Sequence, residues 1–274
     1  AEWLVDNYHV VEAQIRQVRD DLPPGYYRQL PKLADGPLAG YPRVLGLAWA
    51  FVAHTDSRFE THLLRQFVLA YQRVQPLTIG ELWAIAITLR IVLIENLRRA
   101  AELIASRRAV RQHADRIADR LLGAGGREAQ SLATFLPELE GVQLSTTFAV
   151  QLLQRLRDQD PEATPALTWL EGRLATAGTT ADEVVRDEHQ RQGASSVTVR
   201  NVIMSMRSIS AVDWADLFES MSLVDSVLRA EVDYAQSNFS TRNRCRHAIE
   251  ELARGSRHTE LDIAECAMQV AGSG

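Results

Sequence analysis

The strongest constraint on the fold is the helical spacing of apolar residues between residues 78 and 105. Thr78-Ile79-Gly80-Glu81 has the form of a capping box, in which a Thr and a Glu side chain each satisfy a free backbone N–H at a helix start. Apolar residues then recur every three or four positions and widen to cover most of the helix circumference. A helix that is apolar nearly all round is buried, so this segment is predicted to be the central helix of the protein.

Helical periodicity also covers most of the remaining chain. Residues 22–42 are the main exception: they hold five of the nine prolines and are predicted to be a loop held in place by packing. The strand-like passage 196–199 continues the apolar face of a helix and is predicted to be helical. The other predicted helices are 3–18, 43–54, 58–73 (capped by Thr55 or Asp56), 107–122, 128–136, 144–158, 163–176, 181–191, 197–209, 214–220, 223–235, 241–254 and 260–271. The sequence therefore predicts an all-α fold, a multi-helix bundle.

The candidate boundary within this bundle is the run Gly123-Ala124-Gly125-Gly126. It divides the chain into two helical sub-bundles, 1–122 and 127–274, which form either two domains or one. The chain has no initiator methionine, and a helical pattern is already in progress at residue 3. We therefore expect it to be a piece of a longer protein.

The net charge disfavours binding to nucleic acid or anionic lipid, and the hydropathy pattern disfavours a membrane span. The formal net charge of −5 provides no general attraction to nucleic acid or to anionic lipid. The most apolar stretch, residues 83–94, falls well short of the ~20 residues that a membrane span needs. The two cysteines have neither metal-site nor disulfide spacing, which favours a reducing, cytoplasmic compartment.

The sequence contains no motif whose context supports catalytic or metal-binding chemistry. Asp158-Gln159-Asp160 matches the Asp-x-Asp pattern of glycosyltransferases, but Asp160 ahead of Pro161 is explained as a helix N-cap. The neighbouring side chains of Asp187-Glu188-His189 point in different directions on a helix and cannot converge on one ion. The sequence predicts no catalytic residue, no metal site and no cofactor for this segment.

Two long passages carry a resemblance to a known family. Residues 180–229 (TADEVVRDEHQRQGASSVTVRNVIMSMRSISAVDWADLFESMSLVDSVLR) and 238–256 (NFSTRNRCRHAIEELARGS) resemble the N-terminal region of bacterial cyclic β-1,2-glucan synthases. Residues 2–60 and 76–99 are similar to the same region. The resemblance covers nearly the whole chain and is more specific than any short motif.

The resemblance implies a role within a very large inner-membrane glycosyltransferase. Such synthases polymerise glucose from UDP-glucose with a divalent cation and cyclise the product, and their catalytic domains lie beyond this segment. The chain is then expected to be a non-catalytic domain on the cytoplasmic side of the bacterial inner membrane. Its partners would be other domains of the same synthase chain. Two alternatives stay open: a carbohydrate-binding module that holds the growing β-1,2-glucan, and a sugar-nucleotide transferase, which the missing α/β pattern disfavours.

The predicted docking surface lies along residues 187–216, where polar side chains exceed what local helix formation needs. Arg200 and Arg207 are two turns apart on nearly one helix face and would together suit a carboxylate-bearing partner. The equally favoured alternative is internal pairing with Asp187, Glu188 or Asp213. The candidate docking residues are Arg191, Arg200, Asn201, Arg207 and Trp214.

Overall fold

The computed structural model describes residues 2–22, 25–123, 132–134, 137, 144–157 and 164–271. These residues are organised as helices and their connections, without a β-strand, which confirms the all-α prediction. Residues 124–126 of the glycine-rich boundary, the Asp158-Gln159-Asp160 motif and most of the predicted helix 128–136 lie outside the described residues.

The helices of the described residues are labelled here in chain order. They are α1 (Glu2–Asp6), α2 (Tyr8–Asp21), α3 (Tyr26–Gln29), α4 (Arg43–His54), α5 (Thr61–Gln72), α6 (Ile79–Leu121), α7 (Thr146–Arg157), α8 (Thr164–Thr176), α9 (Ala181–Ser210), α10 (Trp214–Met221), α11 (Leu223–Leu228), α12 (Val232–Gln236), α13 (Phe239–Arg254) and α14 (Glu260–Ala271).

The chain divides into two compact units that do not follow chain order. One unit comprises residues 98–199, and the other combines residues 2–97 with residues 200–274. The chain passes from one unit to the other within α6 and again within α9. This division differs from the sequence-based one at residues 122 and 127, because a local glycine run says nothing about which distant helices pack together.

The larger unit is built around the first half of α6. Leu82, Ile85, Leu89 and Leu93 are each at most 4% exposed. This burial agrees with the sequence-based prediction of a central helix. The buried side of the second half of α9 belongs to the same unit: Val202, Ile203, Met206 and Ile209 are fully buried.

The smaller unit has its own apolar core. It contains Ile117 from α6, Phe148 and Leu152 from α7, Leu170 from α8 and Val184 from α9, all buried. Helices α7 and α8 pack directly against each other. Each unit therefore buries a hydrophobic cluster of its own.

Two predicted helix breaks are wrong. The structure continues α6 through residues 105–107 to Leu121, and α9 through residues 191–197 to Ser210. Neither interval contains proline, and the one glycine, Gly193, costs a helix only about 1 kcal/mol relative to alanine. Packing on both sides of such a position outweighs that cost.

The predicted helices 3–18 and 223–235 are each interrupted once. Asn7 has φ −107° and separates α1 from α2, and its side-chain amide donates to the carbonyl oxygen of Trp3 at 2.7 Å. The second interruption separates α11 from α12. The predicted N-caps of the helix after α4 are also wrong: Glu60 precedes α5, and the Thr55 hydroxyl donates back to the carbonyl of Phe51 at 2.9 Å.

Candidate functional site

A cleft of about 470 Å³ lies beside the N-terminal end of α6. It is lined by α3 with the residues that follow it, the start of α4, the first turn of α6 with the residues that precede it, and the helices α11, α13 and α14. Its polar lining includes Tyr26, Glu250, Arg254, His258 and Glu260, and its apolar lining includes Leu30, Leu77, Val224 and Leu261. We call it the Glu260 cleft.

Glu260 is held at this position by a backbone contact across the cleft. Its Oε2 accepts a hydrogen bond from the backbone N–H of Ile79, the first residue of α6, at 2.6 Å. The partial positive charge of a helix N-terminus stabilises a carboxylate there. In the described part of the chain, Oε1 has no hydrogen-bond donor and Glu260 forms no ion pair.

Burial raises the pKa of Glu260 to about 7, against the lowering effect of the Ile79 hydrogen bond. The charges of Glu250 and Glu81 raise this pKa further, and Arg254 lowers it. The cleft thus holds a shielded carboxylate whose charge is incompletely balanced.

Tyr26 and two ion pairs lie in or beside the cleft. The Tyr26 hydroxyl donates to the carbonyl oxygen of Gly80 at 2.6 Å, and burial followed by the charge of Glu250 raises the pKa of Tyr26 to about 12. Arg43 binds the buried carboxylate of Glu81 through two hydrogen bonds, of 2.8 and 2.5 Å. At the rim, Arg254 donates to Glu250 at 2.8 Å.

A buried ionic cluster lies in the same unit and was not predicted from the sequence. The guanidinium of Arg246 is fully buried and contacts Asp225 at 2.7 Å and Glu219 at 2.9 Å. Arg229 and Arg242 complete the cluster from its edges, with contacts of 2.5 Å to Asp225 and 2.8 Å to Glu219. The available signal was an arginine on the apolar stripe of a helix, since Arg246 precedes Ile249 on the buried side of α13.

Aromatic rings surround Arg246 within this cluster. Its guanidinium carbon lies 5.2 Å from the ring centre of Phe218 and 4.9 Å from that of Phe239. Trp83 stacks on Phe218 with ring centres 4.2 Å apart. Burial would raise the pKa of Glu219, but hydrogen bonds from Arg242 and Arg246 outweigh it and hold the pKa below its ordinary value. The cluster fixes α10, α11 and α13 together.

Two of the predicted docking residues lie on α9 and contact the N-terminal part of the larger unit. Asn201 donates to the backbone carbonyl of Asp56 at 2.9 Å and to its Oδ2 at 3.2 Å. Asp56 adopts φ 49°, a left-handed conformation, so Asn201 helps to hold this turn. Arg207 donates to Oδ1 of Asn7 at 2.6 Å rather than to Asp187, Glu188 or Asp213.

The other three docking residues have different surroundings. Trp214 is half-buried, donates from Nε1 to the carbonyl of Ile209 at 3.0 Å and packs against Phe59. Arg191 belongs to the smaller unit, where it is exposed and donates to Thr146 at 3.1 Å. Arg200 is exposed and has no side-chain partner among the described residues. The five residues therefore have different surroundings, and Arg191 belongs to a different unit from the other four.

Two further sequence-based interpretations can be compared with the structure. Glu188 is buried, 2% exposed, and accepts a hydrogen bond from Thr147 at 3.1 Å, while Asp187 and His189 are exposed. The three do not converge on one site. No helix among the described residues is long and apolar enough to cross a membrane, and those residues contain no cluster of three or more His, Cys, Asp or Glu suited to a metal ion.

The geometry of the site does not identify a related protein, but comparison with known proteins does. No family model matches the chain. It is 41% identical over 270 residues, 98% of its length, to a part of the cyclic β-(1,2)-glucan synthase NdvB of Rhizobium meliloti (strain 1021). The chain spans 9% of the length of that protein. The resemblance described from the sequence is confirmed by this similarity.

Proposed function

We propose that this chain is a non-catalytic helical segment of a cyclic β-1,2-glucan synthase, on the cytoplasmic side of the bacterial inner membrane. The observation that carries the proposal is the 41% identity along 98% of the chain to a much longer protein, of which the chain matches 9%. Its role is to dock on the catalytic and membrane domains that polymerise glucose from UDP-glucose. Arg200, which is exposed and has no hydrogen-bond or ion-pair partner among the described residues, supports an interaction role.

The test uses the chain and a synthase from which the corresponding segment has been deleted. The purified chain is incubated with UDP-glucose and Mg²⁺ or Mn²⁺, and we expect no glucose transfer. Added to the truncated synthase, it should bind and restore glucan synthesis. Transfer by the chain alone would overturn the non-catalytic assignment, and undiminished synthesis by the truncated enzyme would overturn the docking role.

The alternative function, a carbohydrate-binding module, gains support from one specific feature. Such a module needs a concave site that combines apolar surface with oriented polar groups. The Glu260 cleft has that combination, with Leu30 and Leu261 beside Glu260 and Arg254. The two functions are compatible, because a docking segment can also contact the glucan.

A further inference from the structure

The Glu260 cleft combines three properties of a ligand site. Its volume of about 470 Å³ lies within the ~300–1,000 Å³ usual for small-molecule sites. Its lining mixes apolar side chains with groups that accept and donate hydrogen bonds. It also contains the shielded carboxylate of Glu260, which has one free oxygen and no ionic partner in the described part of the chain.

The lining favours a neutral ligand rich in hydroxyl groups. Glu260 and Glu250 accept hydrogen bonds, whereas Arg254 and the ring N–H of His258 can donate them. The carboxylate of Glu250 already pairs with Arg254 at 2.8 Å, and that of Glu81 pairs with Arg43. Among these three carboxylates, Glu260 is therefore the one whose Oε1 is open to a hydrogen-bond donor of a ligand. A hydroxyl that donates to Oε1 of Glu260 would form a charge-assisted hydrogen bond.

The apolar side of the cleft suits the C–H face of a sugar ring. Leu30, Val224 and Leu261 come from three different segments of the chain and line the cleft together. A sugar ring presents hydroxyl groups around its edge and C–H groups on its faces, so it can contact both kinds of lining at once.

We infer that the Glu260 cleft binds a short segment of β-linked glucan, with sugar hydroxyls donating to Glu260. This inference rests on the proposed function for the identity of the sugar. It requires neither the docking surface nor any catalytic activity of the chain.

The test is titration of the 274-residue chain with a β-1,2-linked gluco-oligosaccharide, followed by calorimetry and by the amide NMR signals of Ile79 and Gly80. The wild-type chain should bind, and both amide signals should shift. Glu260→Gln keeps a side-chain acceptor for Ile79 but removes the charge, so its affinity should fall about tenfold. Glu251→Gln, an exposed position on α13 that does not line the cleft, should bind like the wild type.

Three results would overturn the inference. They are the absence of binding to the wild-type chain, equal binding by Glu260→Gln, and displacement of the sugar by spermidine, which would mark the cleft as a cation site. A docking role is measured separately, through binding of the chain to the truncated synthase. Failure of the cleft to bind sugar would leave that role intact, and failure of docking would not alter the titration.

Discussion

At the scale of single residues, Arg246 shows how strongly one buried charge binds several helices together. Removing one member of a buried ion pair leaves its partner charged and uncompensated, which costs about 3–5 kcal/mol. Arg246→Met fills similar space without the charge, and Asp225 and Glu219 then lose their central contact. We expect a loss of stability in that range, measured by urea unfolding of the isolated chain.

The matched control is Arg244→Met, two residues earlier on the same helix and exposed. An exposed substitution of this kind should change the free energy of unfolding by less than about 0.5 kcal/mol. Equal effects of the two substitutions would show that the buried ionic cluster does not hold the fold.

Glu260 should give the chain a measurable dependence of stability on pH. In the folded chain its pKa is raised to about 7 from an ordinary value of 4.5, so between these values the folded state keeps a proton that the unfolded state has lost. The free energy of unfolding contributed by this group therefore falls as pH rises from about 5 to about 7, and then levels off. Glu260→Gln should remove that decline, measured by urea unfolding at pH 5, 6, 7 and 8.

Other titrating groups share the Glu260 cleft and must be separated from this effect. Glu250, Tyr26, Arg254 and His258 line it, and Glu81 lies close enough to influence the pKa of Glu260. Histidine side chains in general titrate within this pH interval. The same urea unfolding series is therefore repeated with His258→Gln added to the wild-type chain and to the Glu260→Gln variant. A decline of equal size with and without Glu260 would refute the assignment.

At the scale of elements, the continuity of α9 through Gly193 can be tested by alanine substitution at two glycines, Gly193 and Gly46. A Cβ at Gly193 would meet no atom within 4 Å, whereas one at Gly46 in α4 would lie 3.0 Å from Cδ1 of Leu33. Gly193→Ala should stabilise the chain by about 0.5–1 kcal/mol, because alanine loses less entropy in a helix. Gly46→Ala should bring no gain. A destabilising Gly193→Ala, measured by thermal unfolding, would argue against a continuous helix.

The same elements show which features can be predicted from sequence. Three helix-start motifs with a Thr-x-x-Glu or Thr-x-x-Asp spacing form as that spacing predicts: Thr78 with Glu81, Thr180 with Glu183 and Thr259 with Asp262 exchange backbone–side-chain hydrogen bonds. These contacts span three residues, so the local sequence determines them. The continuity of α6 and α9 was missed, since it depends on packing along the whole helix.

The candidate site, in contrast, depends on contacts between residues that are far apart in the sequence. Ile79 and Glu260 are 181 residues apart, and Arg207 and Asn7 are 200 apart. No local pattern indicates that such residues meet. The sequence shows that Arg207 is a polar residue that local helix formation does not need. It does not show that Arg207 donates a hydrogen bond to Asn7. The Glu260 cleft could not be predicted for the same reason, because its lining comes from segments between residues 26 and 261 that are far apart in the chain.

At the scale of the whole molecule, the long match to a fraction of a glucan synthase makes the docking surface the central question. The roles of Arg200 and Arg207 can be tested separately, because of the two only Arg207 has a hydrogen-bond partner among the described residues. Arg207→Ala should weaken the isolated chain by about 0.5–1.5 kcal/mol through loss of the Asn7 hydrogen bond. Arg207→Ala therefore tests mainly the stability of the fold and not docking.

Arg200→Ala is the informative substitution for docking. Since Arg200 is exposed and forms no hydrogen bond or ion pair among the described residues, its removal should leave the melting temperature of the isolated chain unchanged. If Arg200 meets a carboxylate on the catalytic or membrane domains, affinity for the truncated synthase should fall about tenfold, the effect of losing one charge-assisted contact. Arg244→Ala, exposed on α13, controls for loss of positive charge alone. Wild-type affinity of Arg200→Ala would move the docking surface away from this part of α9, and equal losses with Arg244→Ala would indicate general electrostatic attraction instead of a defined contact.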